Sequence, residues 1–472
     1  MNLAKYLSAG SIAALLVSSP ALAQNAPPKN LLPMRDIPQT APEPDGDEPV
    51  AADAAKDTKE TFDDVFMQQG EVVQEIPSLV GEWSVAQAEA LLAYIPSVNA
   101  EGLNPADYDA GLREAIAAGE GDALNDIASR VFVWLVEDLR DGRTPMDARK
   151  QWFVVDPDPD RLPSHALLEQ ALASGDIRGT LDSLAPVHAD YARLKAQLAA
   201  AKDPAKRKLI RANMDRWRWL PQDLGRQYLL TNVPEMQLRL TVGEKIIKSY
   251  RTVVGKPGRT ATPQLAEMVE AVIFNPTWTV PQSIVQGEGL GNKVLSNPGW
   301  ARSAGYKATK GENGWITVVQ QPGPQNALGL MKLDMPNEHA IFLHDTPSRS
   351  LFAQDNRALS HGCIRVQGAR ELAMTMSMLG NASSREDIPA IQEEVSEITA
   401  SGEYTRYPMA KQWPVYITYF TMGTDVDGKM RSFADVYDRD APVLAALDAP
   451  RQNDRARETS EEVVEIIDDM QT

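Results

Sequence analysis

Cysteine is almost absent from this chain: Cys363 is the only one in 472 residues. An intramolecular disulfide is therefore excluded, and the thiol is either a small buried hydrophobe or a reactive group. Histidine is scarce too, yet two of the five, His344 and His361, lie within twenty positions of that cysteine. No carboxylates at ligand spacing accompany them, so the trio makes a poor zinc set and no metal is expected. Positive charge is in deficit, with 47 Lys and Arg against 65 Asp and Glu and a formal net charge of -18. Such a balance argues against a nucleic-acid partner held by phosphate neutralisation. The P-loop and dinucleotide signatures are missing as well. Gly287-Glu288-Gly289-Leu290-Gly291 follows Pro281 without the strand and trailing glycine of a phosphate cradle, and reads as a surface turn, so no organic cofactor is expected.

Long apolar runs are also lacking. The stretch from Leu7 to Val17 falls short of the roughly 20 residues that span a bilayer, and Ala21-Leu22-Ala23 follows it. The pattern predicts a signal peptide over 1–23, delivery to the periplasm, and no transmembrane segment after cleavage. Residues 24–62 are rich in Pro, Ala, Asp and Glu with hardly an aromatic, which predicts a disordered linker.

What is present divides the remainder in two. Over 63–222 the segments SVAQAEALLAYI, ALNDIASRVFVWLVEDL and KRKLIRANMDRWRWL carry apolar residues at three- and four-residue spacing, the pattern of an all-helical domain. Over 223–444 short runs such as RQYLLTNV, MQLRLTV, KIIKSYRTVVG, HAIFLHD and PVYITYF are rich in Val, Ile, Thr and Tyr. Few helices intervene, so the second domain is expected to be a mostly antiparallel, β-rich sandwich or barrel-like sheet with helices at GARELAMTMSML and IPAIQEEVSEI, giving an α+β protein. From 445 to 472 a charged, flexible tail is expected.

The chemistry converges on the cysteine. His344 closes an apolar run just before Asp345-Thr346-Pro347 turns the chain, and strand ends are where catalytic side chains are displayed. Cys363 lies between Ser360-His361-Gly362 and Ile364-Arg365-Val366, where glycine lets backbone amides approach a ligand. A neighbouring imidazole and guanidinium favour the thiolate, the form that attacks a carbonyl, so the group suits acyl transfer through a thioester.

HDTP at 344–347 followed by ALSHGCIRV at 358–366, with fifteen residues between His344 and Ser360, resembles the motif of YkuD-type L,D-transpeptidases. RANMDRWRWLP, TVVGKPGRTATP, NPTWTVPQSI and QQPGPQNALGLMKLDMPN resemble the large periplasmic YcbB-like subgroup in the same order, from roughly Leu209 to Tyr437. The region carrying EGLNPADY resembles that subgroup's scaffold domain. The small peptidoglycan-binding module of the subgroup has only residues 199–208 in its place here.

The resemblance implies a transferase that forms 3-3 peptidoglycan crosslinks from tetrapeptide donors, with stem peptides and envelope proteins as partners and sensitivity to carbapenem-type β-lactams. It makes Cys363 the nucleophile and His344 its base, the second ring nitrogen resting on a backbone carbonyl near Asp345. His361 would position the loop, the Gly362 and Cys363 amides would hold the oxyanion, and Arg365 would orient the loop or meet a substrate carboxylate. Trp278 and Tyr306, in a lid over about 276–316, would contact substrate together with Ser360 and Asp345. Two alternatives stay open: water as acceptor, giving a carboxypeptidase or a hydrolase releasing wall-attached protein, and a non-catalytic peptidoglycan-binding scaffold.

Overall fold

A computed structural model describes residues 80–451 apart from 110 and 244. The expected signal peptide and linker lie outside the described residues, as does the end of the charged tail. Eight helices come first: α1 (Val85–Tyr94), α2 (Leu112–Ala118), α3 (Asp122–Arg140), α4 (Asp158–Arg161), α5 (Ser164–Ser174), α6 (Ile177–Asp182), α7 (Ala189–Ala200) and α8 (Pro204–Trp217). Their boundaries follow from capping chemistry. Ser84 accepts from the Gln87 amide while the Gln87 side chain caps the Ser84 amide, and Asp203 caps α8 just ahead of Pro204. Helix α3 buries Leu124, Ala128, Val131, Phe132 and Leu135, one stripe at three- and four-residue spacing. That stripe packs with Trp83, Leu91 and Tyr108 into a helical core.

The later helices join a different core. Tyr191 and Leu194 of α7, and Met214 and Trp217 of α8, pack with Trp219, Tyr228, Leu230, Tyr416 and Phe420. The expected boundary between residues 222 and 223 thus runs through a layer shared by helices and strands. Asp215, fully buried, accepts from the amides of Arg143 and Thr144 at 2.7 and 3.0 Å and from Trp219 Nε1 at 3.1 Å.

The strands are β1 (Gln227–Asn232), β2 (Gln237–Val242), β3 (Lys245–Gly255), β4 (Leu265–Phe274), β5 (Trp278–Thr279), β6 (Tyr306–Lys310), β7 (Ile316–Gln320), β8 (Met331–Asp334), β9 (Leu343–His344), β10 (Ala358–Ser360), β11 (Ile364–Val366), β12 (Thr405–Thr418), β13 (Met422–Thr424) and β14 (Met430–Ser432). Nine of them form one sheet in the order β10-β3-β11-β9-β8-β4-β12-β1-β2, and β2 pairs back onto β3, closing the sheet on itself as a barrel does. Most pairs are antiparallel; β1 with β12, β3 with β10 and β9 with β11 are parallel. Helices α12 (Ala369–Asn381) and α13 (Ile388–Ser401) occupy the two expected segments, and α+β holds.

Three differences have physical causes. Strand β12 begins at Thr405, well ahead of PVYITYF, because a register shift between Pro408 and Trp413 accommodates the break that proline makes in a ladder. Most of HAIFLHD is not strand: the Asn337 side chain donates to the Met335 and Ile341 carbonyls and accepts from the Ile341 amide, so only Leu343 and His344 join the sheet. The region read as a tail from 445 is ordered to its start, since α14 (Asp440–Asp448) crosses it and Arg451 pairs with Asp138 and Glu137 at 2.9 and 2.7 Å. Between β5 and β7, helices α9 (Gln282–Val285), α10 (Leu290–Ser296) and α11 (Pro298–Ser303) pack on the three-stranded sheet β5-β7-β6 around Val280, Val285, Val294 and Val318. This small layer coincides with the expected lid.

Candidate active site

Strands β9 and β11 carry the site. They pair in parallel, with Ile364 opposite Leu343 and Arg365 opposite His344, and Cys363 sits in the turn that leads directly into β11. The turn before β11 is built around Gly362, whose φ of +116° suits glycine and disfavours any other residue. Ser360 braces that turn: its hydroxyl donates to the Cys363 carbonyl at 2.6 Å and accepts from the Gly362 amide at 3.2 Å. A second brace comes from TVVGKPGRTATP, where the Thr262 hydroxyl donates to the Gly362 carbonyl at 2.7 Å and accepts from the Gly255 amide at 2.8 Å. Tyr437 then ties the same segment by donating to the Gly255 carbonyl at 2.7 Å. A Cβ on Gly255 would sit 1.9 Å from the Thr260 oxygen, so this close crossing requires glycine.

Cys363 is half-buried, and its Sγ lies 3.6 Å from the carbonyl oxygen of Ala340, a residue held at φ +50°. No hydrogen bond joins Sγ to the His344 ring. Burial pushes the thiol up to about 11, with Lys332 and Arg365 acting the other way. His344 is 4% exposed, and burial followed by the Arg365 charge takes its pKa down to about 3, partly offset by backbone groups of Asp345 and Leu328. Thiol and neutral imidazole are thus the resting pair at neutral pH, rather than thiolate and imidazolium. The backbone groups of Asp345 and Leu328 lie against the buried ring, where the expected carbonyl contact falls, while Nδ1 makes no hydrogen bond of good geometry.

The other expected residues divide. Arg365 flanks His344, and its Nε is buried without an acceptor. The Gly362 amide is already given to Ser360, leaving the Cys363 amide as the candidate oxyanion donor of that pair. His361 is exposed and meets Glu288 Oε1 of the small layer between β5 and β7 at 3.0 Å. Ser360 and Asp345, expected at the substrate, instead hold backbone. Asp345 is 1% exposed, accepts from the Leu330 amide at 3.0 Å and lies 2.6 Å from Arg349. Trp278 and Tyr306 pack against the lid's own core, and Tyr306 stacks on Trp300 with centroids 5.6 Å apart.

Sequence reasoning missed Lys332, Phe342 and Glu288. Lys332 stands opposite His344 across β8 and β9, and its Nζ lies 4.6 Å from the centre of the Phe342 ring, which in turn packs edge-on to His344 at 5.6 Å. The alternation in Met331-Lys332-Leu333 signals that Lys332 leaves the core, but only the strand order reveals what it faces.

Residues 226–384 match the family model described as the YkuD L,D-transpeptidase catalytic domain, and residues 82–198 match the Scaffold domain model. The chain therefore carries a YkuD L,D-transpeptidase catalytic domain together with a Scaffold domain. It is 28% identical over 234 residues to a Haemophilus influenzae protein provisionally named an L,D-transpeptidase, a match over 46% of this chain and 45% of that one. The chain thus matches less than half the length of that relative. Among solved structures it is similar to an L,D-transpeptidase from Mycobacterium smegmatis, at 12% identity and TM-score 0.21 over 41% of this chain and 58% of that one. A mutant of the Enterococcus faecium L,D-transpeptidase gives 13% identity and TM-score 0.20 over 42% and 52%. Among the described residues no helix is long and apolar enough to cross a membrane.

Proposed function

We propose that this protein is a periplasmic L,D-transpeptidase that forms 3-3 crosslinks in peptidoglycan through a thioester on Cys363. The observation that carries the proposal is the parallel pairing of β9, which ends at His344, with β11, which Cys363 immediately precedes, inside the matched catalytic domain. The Cys363 sulfur attacks the carbonyl of the third stem residue as the thiol proton passes to His344. The carbon–sulfur bond forms, the bond to the terminal D-alanine breaks, and His344 returns the proton to the departing amine. In the second half the amine of an acceptor stem attacks the thioester, loses a proton to the imidazole, and the thiol is restored. A carbapenem acylates the same sulfur through its strained ring carbonyl. The Cys363 amide supports the oxyanion, His361 steadies the lid, and Trp278 and Tyr306 set the lid's shape over the peptide.

Purified residues 24–472, incubated with disaccharide tetrapeptides and followed by mass spectrometry, test this directly. A dimer lacking one D-alanine is expected, and it disappears in Cys363→Ala and His344→Ala. Monomeric tripeptide alone makes water the acceptor, and no turnover by folded protein favours the binding-scaffold alternative.

A further inference from the structure

Strands β8, β9 and β11 set three side chains in a row. Lys332 is the register partner of His344, and His344 is the register partner of Arg365. Register partners project from one face, so two cations flank the imidazole, with Cys363 beside them. Neither cation is answered by a carboxylate: among the described residues no ion pair or hydrogen bond reaches the side chain of Lys332 or Arg365, and Arg365 Nε is buried with no acceptor. By contrast, Arg406 on β12 holds Asp334 and Glu270 at 2.7 and 3.2 Å, and Arg357, just before β10, donates to the carbonyls of Thr252, Gln354 and Asp355. Unpaired charge in a partly dry site is costly, and it is most striking to find it on a chain with a net charge of -18. The Phe342 ring under Lys332 Nζ keeps the ammonium over the site instead of letting it swing into solvent.

We propose that Lys332 and Arg365 form a carboxylate-binding subsite beside Cys363, which recognises a free carboxylate of the donor stem next to the bond being broken. This rests on the transpeptidase reading for the identity of the ligand, and the stem offers two sources: the terminal D-alanine carboxylate and the side-chain carboxylate of the diamino acid. Both charges also lie close enough to act on Cys363 and His344. The subsite holds the donor by charge while leaving the imidazole free to move the proton.

The first test does not depend on catalysis. Cys363 in the full chain is alkylated with iodoacetate, an anion, and with iodoacetamide, its neutral counterpart, and the ratio of the two rates reports local positive charge independently of thiolate content. Lys332→Met lowers that ratio about three- to tenfold and Lys332→Arg preserves it. An unchanged ratio in folded Lys332→Met overturns the subsite. Should that variant not fold, the wild-type ratio is measured from about 0.02 to 0.5 M salt, where a several-fold fall supports the subsite and a flat ratio overturns it. The second test compares donor tetrapeptides amidated at the terminus or at the side-chain carboxylate. The carboxylate that binds is the one whose amidation raises KM several-fold in wild type but not in Lys332→Met, with kcat little changed. If no peptide turns over yet the alkylation ratio falls, the transpeptidase reading fails and the anion subsite stands.

Discussion

In the proposed reaction, the raised thiol of Cys363 and the neutral ring of His344 make proton transfer accompany attack, in place of a standing ion pair. With burial holding the thiol up to about 11, its reaction with iodoacetamide should rise about tenfold per pH unit between pH 7 and 9. A rate already level at pH 7 contradicts this. The same burial has a stability consequence at His344, whose pKa in the fold is depressed to about 3 from 6.5. Between those values the unfolded chain binds a proton that the folded chain refuses, so stability is full above pH 6.5 and declines as pH falls toward 3. In urea unfolding, His344→Gln should show a shallower decline than wild type over pH 6.5 to 4. The proposed pair, Cys363 and His344, was legible in the sequence as a candidate, because a lone cysteine and a His-to-Cys spacing are local features. Lys332 was not, because its partnership with His344 is created by strand order.

At the level of elements, the turn between β10 and β11 depends on hydroxyls rather than on burial alone. Ser360 makes two of its internal bonds and Thr262 supplies a third from the loop between β3 and β4. Removing the Ser360 hydroxyl should cost about 1–2 kcal/mol and loosen the Cys363 carbonyl and Gly362 amide together. Ser360→Ala is therefore expected to lower kcat at least tenfold with a smaller change in KM, whereas a serine that contacted substrate would show its loss mainly in KM. The sequence placed Ser360 beside Cys363 but did not reveal its bonds to the Cys363 carbonyl and Gly362 amide, since a hydroxyl's partner depends on a turn geometry that spacing does not contain. The strands from β1 to β4 were visible as Val-, Ile- and Thr-rich runs. The front of β12 was hidden by Pro408, whereas the Val-rich run WITVVQQ showed β7, the middle strand of the small sheet.

For the whole molecule, the shared core around Trp217, Trp219, Tyr228 and Phe420 makes the late helices and the barrel one folding layer. Asp215 sits beneath it with no exposure, binding two amides, an indole and Arg218 at 3.4 Å. Asp215→Ala removes one of the two buried carboxylates beside Arg218, leaving Glu101 at 3.8 Å, and strands two amides and an indole, which should cost about 3–5 kcal/mol. Far-ultraviolet circular dichroism and tryptophan fluorescence should lose signal at the same denaturant concentration, in the variant as in wild type; two separated transitions would show that helices and barrel fold apart. The sequence divided the chain at 222 because its periodicity changes there, and periodicity does not report which faces pack together. The measurement that bears most directly on the central claim is the intact mass of the protein after brief incubation with tetrapeptide donor and an acid quench. A mass increase equal to the donor less D-alanine, mapped to the peptide containing Cys363 and absent in Cys363→Ala, is expected. Donor consumption by the wild type with no adduct on Cys363, or with equal consumption by Cys363→Ala, would contradict it.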